Sequence, residues 1–212
     1  MKFITQVIKY RFRDKIEETH NIQRKFQSWF YPDNFENQWA AEYIYGSDIN
    51  FNLGTATKVN MILHGDGSAN IFVKDGLLPF SHYDGVLSES EMSSVYKDKI
   101  INGQFDIIMT NPPFSVDLDN DTKKNVKDEF LFGEKKNSEN LFIERYYQLL
   151  REGGRLGVVL PESVFDTTEN KYIRLFIYKY FTVKAVVSLP QLTFEPFTST
   201  KTSLLFAQKK TE

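Results

Sequence analysis

A chain of 212 residues with a net charge of −2, 41% hydrophobic and 25% charged residues has the balance of one globular domain with a sizeable core; two domains would be cramped. It lacks the basic excess of a domain that grips nucleic acid unaided, so any phosphate contacts must come from local patches or from another chain. Cysteine is absent and there are three histidines, which excludes disulfides, thiolate metal sites and cysteine nucleophiles and leaves no zinc-ligand spacing; no metal site is expected. No apolar run reaches the ~18 residues a membrane span needs and no signal-peptide pattern opens the chain, so a cytoplasmic protein without a membrane partner is expected.

Along the chain, apolar residues at Phe3, Ile4, Val7, Ile8, Phe12, Ile16 and Ile22 predict a helix over residues 1–29, followed by a turn at 31–34. Residues 41–48 read as a short strand ending in Asp48. Helical spacing returns over 51–63 through Leu53, Ala56, Val59 and Ile62, and the His64-Gly65-Asp66-Gly67 run stops it. Residues 70–74 are strand-like and end at Asp75-Gly76. A polar connection over 80–104, with a short helix around 90–99, leads to the apolar strand 105–110. Residues 115–138 show no period and read as a long charged loop. An amphipathic helix over 139–151, stopped by Gly153-Gly154, precedes a strand at 155–160, a helix at 171–180, and strands at 183–189 and 202–208. Strands alternating with helices predict an α/β fold with a mostly parallel sheet. The last two strands, with no helix between them, predict a C-terminal antiparallel hairpin.

The strand 105–110 ends in Asn111-Pro112-Pro113-Phe114. Each proline lacks an N–H and fixes φ, so the turn is stiff and leaves carbonyl acceptors exposed. It sits where open α/β sheets bind ligands, at the carboxyl ends of strands. The Asn111 side-chain oxygen and the Pro112 carbonyl can each accept one N–H of an exocyclic amine while Phe114 stacks on the ring that carries it. The plainer reading of the same residues is a strand-terminating turn. Asp48 and Asp75 end two earlier strands, where carboxylates either cap a turn or accept from ribose hydroxyls and an adenine amine. Pro161-Glu162 could line a cleft or form a turn, and Lys123, Lys124, Lys127, Lys135 and Lys136 could meet phosphate or simply be solvated.

Taken together, several segments resemble an N6-adenine DNA methyltransferase, specifically the modification subunit of type I restriction–modification systems. They are Tyr45-Gly46-Ser47-Asp48-Ile49-Asn50, Lys58-Val59-Asn60-Met61, His64-Gly65-Asp66-Gly67, Asn111-Pro112-Pro113-Phe114, Gly153-Gly154-Arg155 through Leu160-Pro161-Glu162, Val187-Ser188-Leu189-Pro190, Phe194-Glu195-Pro196-Phe197 and Lys201-Thr202-Ser203-Leu204-Leu205-Phe206. The resemblance implies a Rossmann-like S-adenosylmethionine-dependent methyltransferase fold and methyl transfer from S-adenosylmethionine to a flipped-out adenine in DNA. Asn111, Pro112, Pro113 and Phe114 would form the catalytic turn. Asp48 with Ile49, Asp75 with Gly76, and Asn111 would meet the cofactor. The implied partners are DNA, a specificity subunit that chooses the sequence, and a restriction subunit. The Asn-Pro-Pro-Phe turn alone also fits RNA and protein-glutamine methyltransferases; the segments around Phe194 and Phe206 favour DNA.

The family's Gly-rich first cofactor motif has no counterpart, since no glycine precedes Gly46. Residues 1–212 are therefore expected to be a partial catalytic domain, with 1–40 as the helix after a missing first, central strand and 41–212 as the rest of the sheet. Direct closure or loose packing of the strands beside that gap is expected. So is weak cofactor binding by the chain alone, with an inactive remnant as the competing reading.

Overall fold

The computed structural model describes residues 38–65, 70–78, 102–114, 118, 120–134 and 137–211. The predicted helix over 1–29, the turn at 31–34 and the short helix around 90–99 lie outside the described residues. The chain divides into two compact units, one running to Gly76 and the other taking up at Leu77.

The N-terminal unit contains α1 (Gln38–Tyr43), β1 (Gly46–Asp48), α2 (Phe51–Leu63) and β2 (Ile71–Val73). Residues 41–43, expected in a strand, finish α1 instead; only the three residues up to Asp48 pair, in parallel with β2. Helix-forming Ala40, Ala41 and Glu42 outweigh the β-branched and aromatic residues that follow them. Asn50 starts α2 as an N-cap, its side-chain oxygen accepting from the Asn52 and Leu53 amides at 2.9 and 3.1 Å. Gly54 is the buried residue of α2, and a Cβ there would come within 2.7 Å of Val73 Cγ2, so the missing side chain lets helix and strand approach.

The C-terminal unit is built on a four-stranded sheet of β3 (Phe105–Thr110), β4 (Leu150–Pro161), β5 (Phe181–Ser188) and β6 (Thr202–Lys209), in spatial order β3-β4-β6-β5. The β3–β4 pair is parallel and the other two pairs are antiparallel. The expected C-terminal hairpin forms, with β6 inserted between β4 and β5. Its helices are α3 (Asn120–Glu129), α4 (Ser138–Leu149), the single turn α5 (Ser163–Asp166) and α6 (Lys171–Tyr180). Leu156, Val158 and Leu160 of β4, with Leu205 and Ala207 of β6, present one face to Ile143, Tyr146, Ile173 and Phe176 of the helices, forming the main core.

Helix α3 corrects the loop expected over 115–138. Its ten residues are mostly charged or polar, so no apolar period is visible in the sequence. It is anchored by the buried Thr122 and Val126, and Val126 joins Leu77, Phe130 and Leu141 in a second small cluster. Gly153-Gly154 do not stop the preceding helix either. That helix ends at Leu149, and the pair lies inside β4, where Gly153 takes φ +70° beside a register shift against β3. A Cβ on Gly154 would meet the Arg151 carbonyl of the same strand at 2.8 Å and the Phe105 carbonyl of β3 at 3.1 Å, so the glycine lets β4 kink close to its neighbour.

The strands ending at Asp48 and Thr110 belong to different sheets, and among the described residues β3 pairs with β4 alone. Among the described residues these two strands do not pair with each other, so the direct closure expected of them is not seen there.

Candidate functional site

Strand register brings three segments to one end of the four-stranded sheet. Thr110 pairs with Val158 in parallel, so residues 111–114 leave β3 alongside the last residues of β4. Pro161 pairs with Thr202, and Ser188 pairs with Ser203. The 189–201 connection and Glu162 therefore stand at that same carboxyl end. The motif segments around Asn111, Pro161 and Phe194–Phe206, far apart in the sequence, are gathered by pairing alone.

Within the turn, Pro112 is buried, Asn111 and Pro113 are exposed, and Phe114 is half-buried. Pro112 thus pins the turn to the unit while the Asn111 amide stays open to solvent. Thr110 lies on the sheet face that also carries Val158, toward the core. The buried Tyr146 hydroxyl approaches the Thr110 side chain without meeting hydrogen-bond geometry, and burial pushes its phenol well above the ordinary range. Sequence reasoning missed Tyr146, although a phenol among the apolar positions of an amphipathic helix is a readable signal.

Glu162 follows β4 directly, and its carboxylate accepts from Ser203 Oγ at 2.7 Å. Its backbone N–H also donates to the Lys201 carbonyl at 2.9 Å. Of its two sequence readings, a turn and a cleft-lining acid, the structure supplies the turn and adds an oriented carboxylate at the site end of the sheet. The connection 191–197 is a series of turns with a cis Glu195–Pro196 peptide and a fully displayed Phe197, 93% exposed. Lys201 Nζ donates to the Leu189 carbonyl and closes this connection across its neck.

The acids assigned to the cofactor lie in the other unit. Asp48 ends β1, and its Oδ1 accepts from the Asn50 amide at 2.7 Å, an Asx turn that leads into the α2 cap. The turn-capping reading of Asp48 therefore holds, and its second oxygen is not engaged in that turn. Ile49 beside it is largely exposed. Asp75-Gly76 follow β2, both half-buried. Lys123, Lys124 and Lys127 fall on α3, Lys127 paired with Glu134 at 3.4 Å with both ends largely solvated; Lys135 and Lys136 lie outside the described residues. Among the described residues no group of three or more His, Asp or Glu could hold a metal ion, and no helix is long and apolar enough to cross a membrane.

The model of the N-6 DNA methylase family matches residues 17–212. The methylase subunit of the type I restriction enzyme EcoEI from Escherichia coli is 31% identical over 107 residues, which is 50% of this chain and 21% of that protein. Among solved structures, the M protein of the type I restriction enzyme EcoKI superposes with a TM-score of 0.62 at 19% identity, covering 98% of this chain and 36% of that one. The type I restriction–modification methyltransferase subunit from Streptococcus thermophilus gives 0.56 at 22% identity, covering 79% and 34%. The chain thus spans about a fifth to a third of the length of these relatives. At such identities the solved structures establish its fold, the α/β fold of these subunits.

Proposed function

This chain belongs to the N-6 DNA methylase family, and from that premise we propose that it contributes the catalytic domain of an adenine-specific DNA methyltransferase in a type I restriction–modification assembly. The observation that carries the reading is the Asn111-Pro112-Pro113-Phe114 turn, fixed by a buried proline at the carboxyl end of a parallel strand pair with its amide exposed.

In this reading Asn111 Oδ1 and the Pro112 carbonyl accept the two N6 protons of a flipped-out adenine. Those two bonds orient the amine and direct the nitrogen lone pair away from the ring. Phe114 stacks on the base, and Tyr146 and Thr110 brace the strand end beneath the turn. Rate comes from positioning and electrostatics, and no covalent nucleophile takes part. S-adenosylmethionine, when bound, supplies a methyl group on a positively charged sulfur. Held in this way by Asn111 and Pro112, the N6 nitrogen would have its lone pair available to that methyl group. The free oxygen of Asp48 suits the ribose hydroxyls, with Ile49 beside it, and Asp75 with Gly76 suits the adenine amine of that cofactor.

The chain's own charge of −2 supports leaving DNA sequence choice to a specificity subunit, with a restriction subunit as the further partner, in the cytoplasm. The test is tritium transfer from labelled S-adenosylmethionine by the chain assembled with a specificity subunit and a Gly-rich cofactor segment of the kind the family carries. DNA, RNA and a glutamine-bearing peptide are offered side by side. Label at adenine N6 in DNA is expected; label in RNA or peptide instead would overturn the assignment.

A further inference from the structure

Helix α6 keeps one stripe out of the core. Lys171, Arg174, Leu175 and Tyr178 recur at the three- and four-residue spacing of a single helix face, while Ile173, Phe176 and Ile177 of the same helix are buried. The stripe runs about 10 Å along the helix.

Strand β5 supplies a facing wall. Val183 pairs with Ala207 and Val186 with Leu205, two residues of β6 that share the helix-covered face of the sheet. In a regular strand, residues three apart point to opposite faces. The register shift between Val183 and Ala185 places Lys184 in a bulge and turns both valines toward α6. Between the two walls lies a groove of about 510 Å³, with the buried Ile177 and Leu205 as its floor. Leu175 and Tyr178 on its helix wall are 59% and 78% exposed, and Val183 and Val186 opposite them are about half exposed. Large apolar side chains gathered on one concave surface mark an interaction site, where single scattered ones would not.

The charge around the groove has one sign. Its lining holds Lys171 and Arg174 and no carboxylate. Arg174 Nη1 donates to the Val164 carbonyl at 3.0 Å, and neither Arg174 nor Lys171 has an ion-pair partner among the described residues. Lys210 adds a cation near Tyr178, its Nζ donating to the Tyr178 carbonyl at 2.8 Å and standing 5.3 Å from the ring centroid. The surface that complements this groove is therefore apolar along its middle and acidic along its flanks.

We infer that the groove between α6 and β5 docks an amphipathic helix of a partner protein, whose apolar stripe meets Leu175, Tyr178, Val183 and Val186 and whose flanking carboxylates meet Lys171 and Arg174. A helix fits better than an added strand. β5 stands at the end of the strand order, so one of its edges is open among the described residues, but the bulge and Lys184 guard that edge against strand pairing. None of the residues proposed for methyl transfer lines the groove, so the two readings stand or fall separately.

Fluorescence anisotropy on the full 212-residue chain tests this with labelled peptides of about 14 residues, long enough to form a helix on a groove. One carries leucines at helical spacing with glutamates on both flanks. A second replaces the glutamates by lysines, and a third is the first with two central prolines. The glutamate peptide is expected to bind saturably at about 10–300 μM, with the lysine and proline peptides at least about tenfold weaker. Leu175→Ser is expected to weaken it about five- to thirtyfold. Lys171→Glu is expected to weaken it about three- to tenfold while leaving the lysine peptide no weaker than before. Both changes fall on exposed side chains, and circular dichroism checks the fold. Dodecanoate serves as a small amphiphilic anion. No saturable binding of the glutamate peptide up to about 1 mM, whether or not dodecanoate binds, overturns the proposal. Equal affinity for the lysine or proline peptide, or indifference to Leu175→Ser, overturns it as well.

Discussion

The two units hold their strand-end residues in different ways. In the C-terminal unit β4 is flanked on both sides, by β3 and β6, and Leu160, Ile173 and Leu205 are at most 1% exposed under the α4–α6 layer. The Asn111 turn leaves that framework through a buried proline, so its geometry is inherited from a packed core. In the N-terminal unit Asp48 ends one three-residue strand and Asp75 follows the other, and Phe51, Leu53, Val59 and Ile62 of α2 are all at least half exposed. What fixes Asp48 there is local, an Asx turn feeding an N-cap. The contrast teaches that the Asn111 turn is set by tertiary packing and the Asp48 turn by local turn and cap chemistry.

That contrast can be broken by paired substitutions. Leu160→Ala should have the largest effect, a loss of about 2–5 kcal/mol in denaturant unfolding, because a fully buried side chain leaves a cavity. Asn50→Ala should cost about 1 kcal/mol by orphaning two amides at the start of α2, read best as faster hydrogen exchange at Asn52 and Leu53. Val59→Ala, on the exposed part of the same helix, should stay within about 0.5 kcal/mol of the parent chain. Arg151→Ala should be as mild, within about 0.5 kcal/mol, since its 2.5 Å pair with Asp106 is more than half solvated at both ends. If Val59→Ala costs as much as Leu160→Ala, the difference drawn between the units is wrong.

Much of this arrangement was legible in the sequence, and the gaps have physical causes. β4 and β6 were read from apolar runs because one face of each is buried, β3 and β5 from apolar and β-branched runs although most of their residues stay exposed, and the end of β3 was marked by two consecutive prolines. Helix α3 was invisible because its anchors are Thr122 and Val126 within a charged stretch, a pattern shared by solvated loops. Gly153-Gly154 carried a helix-stop signature, but Leu150 already turns into extended backbone and the glycines serve the β4 kink. The split of the strands into two sheets could not be read from either strand alone, since pairing is decided by which edges meet. At the site, Asn111 and Asp48 could be named from strand ends. Tyr146 and the Glu162–Ser203 contact depend on which face a helix buries and on β4–β6 register, and neither is local in sequence.

The central claim is that Asn111 holds the amine that is methylated. Asn111→Ala, assembled with the same specificity subunit and Gly-rich cofactor segment, should transfer tritium from labelled S-adenosylmethionine to DNA about a hundred- to a thousandfold more slowly, as expected for losing one oriented transition-state contact. The circular dichroism spectrum of the exposed-site variant should be unchanged. Labelling of DNA at the parent rate by Asn111→Ala would contradict the account.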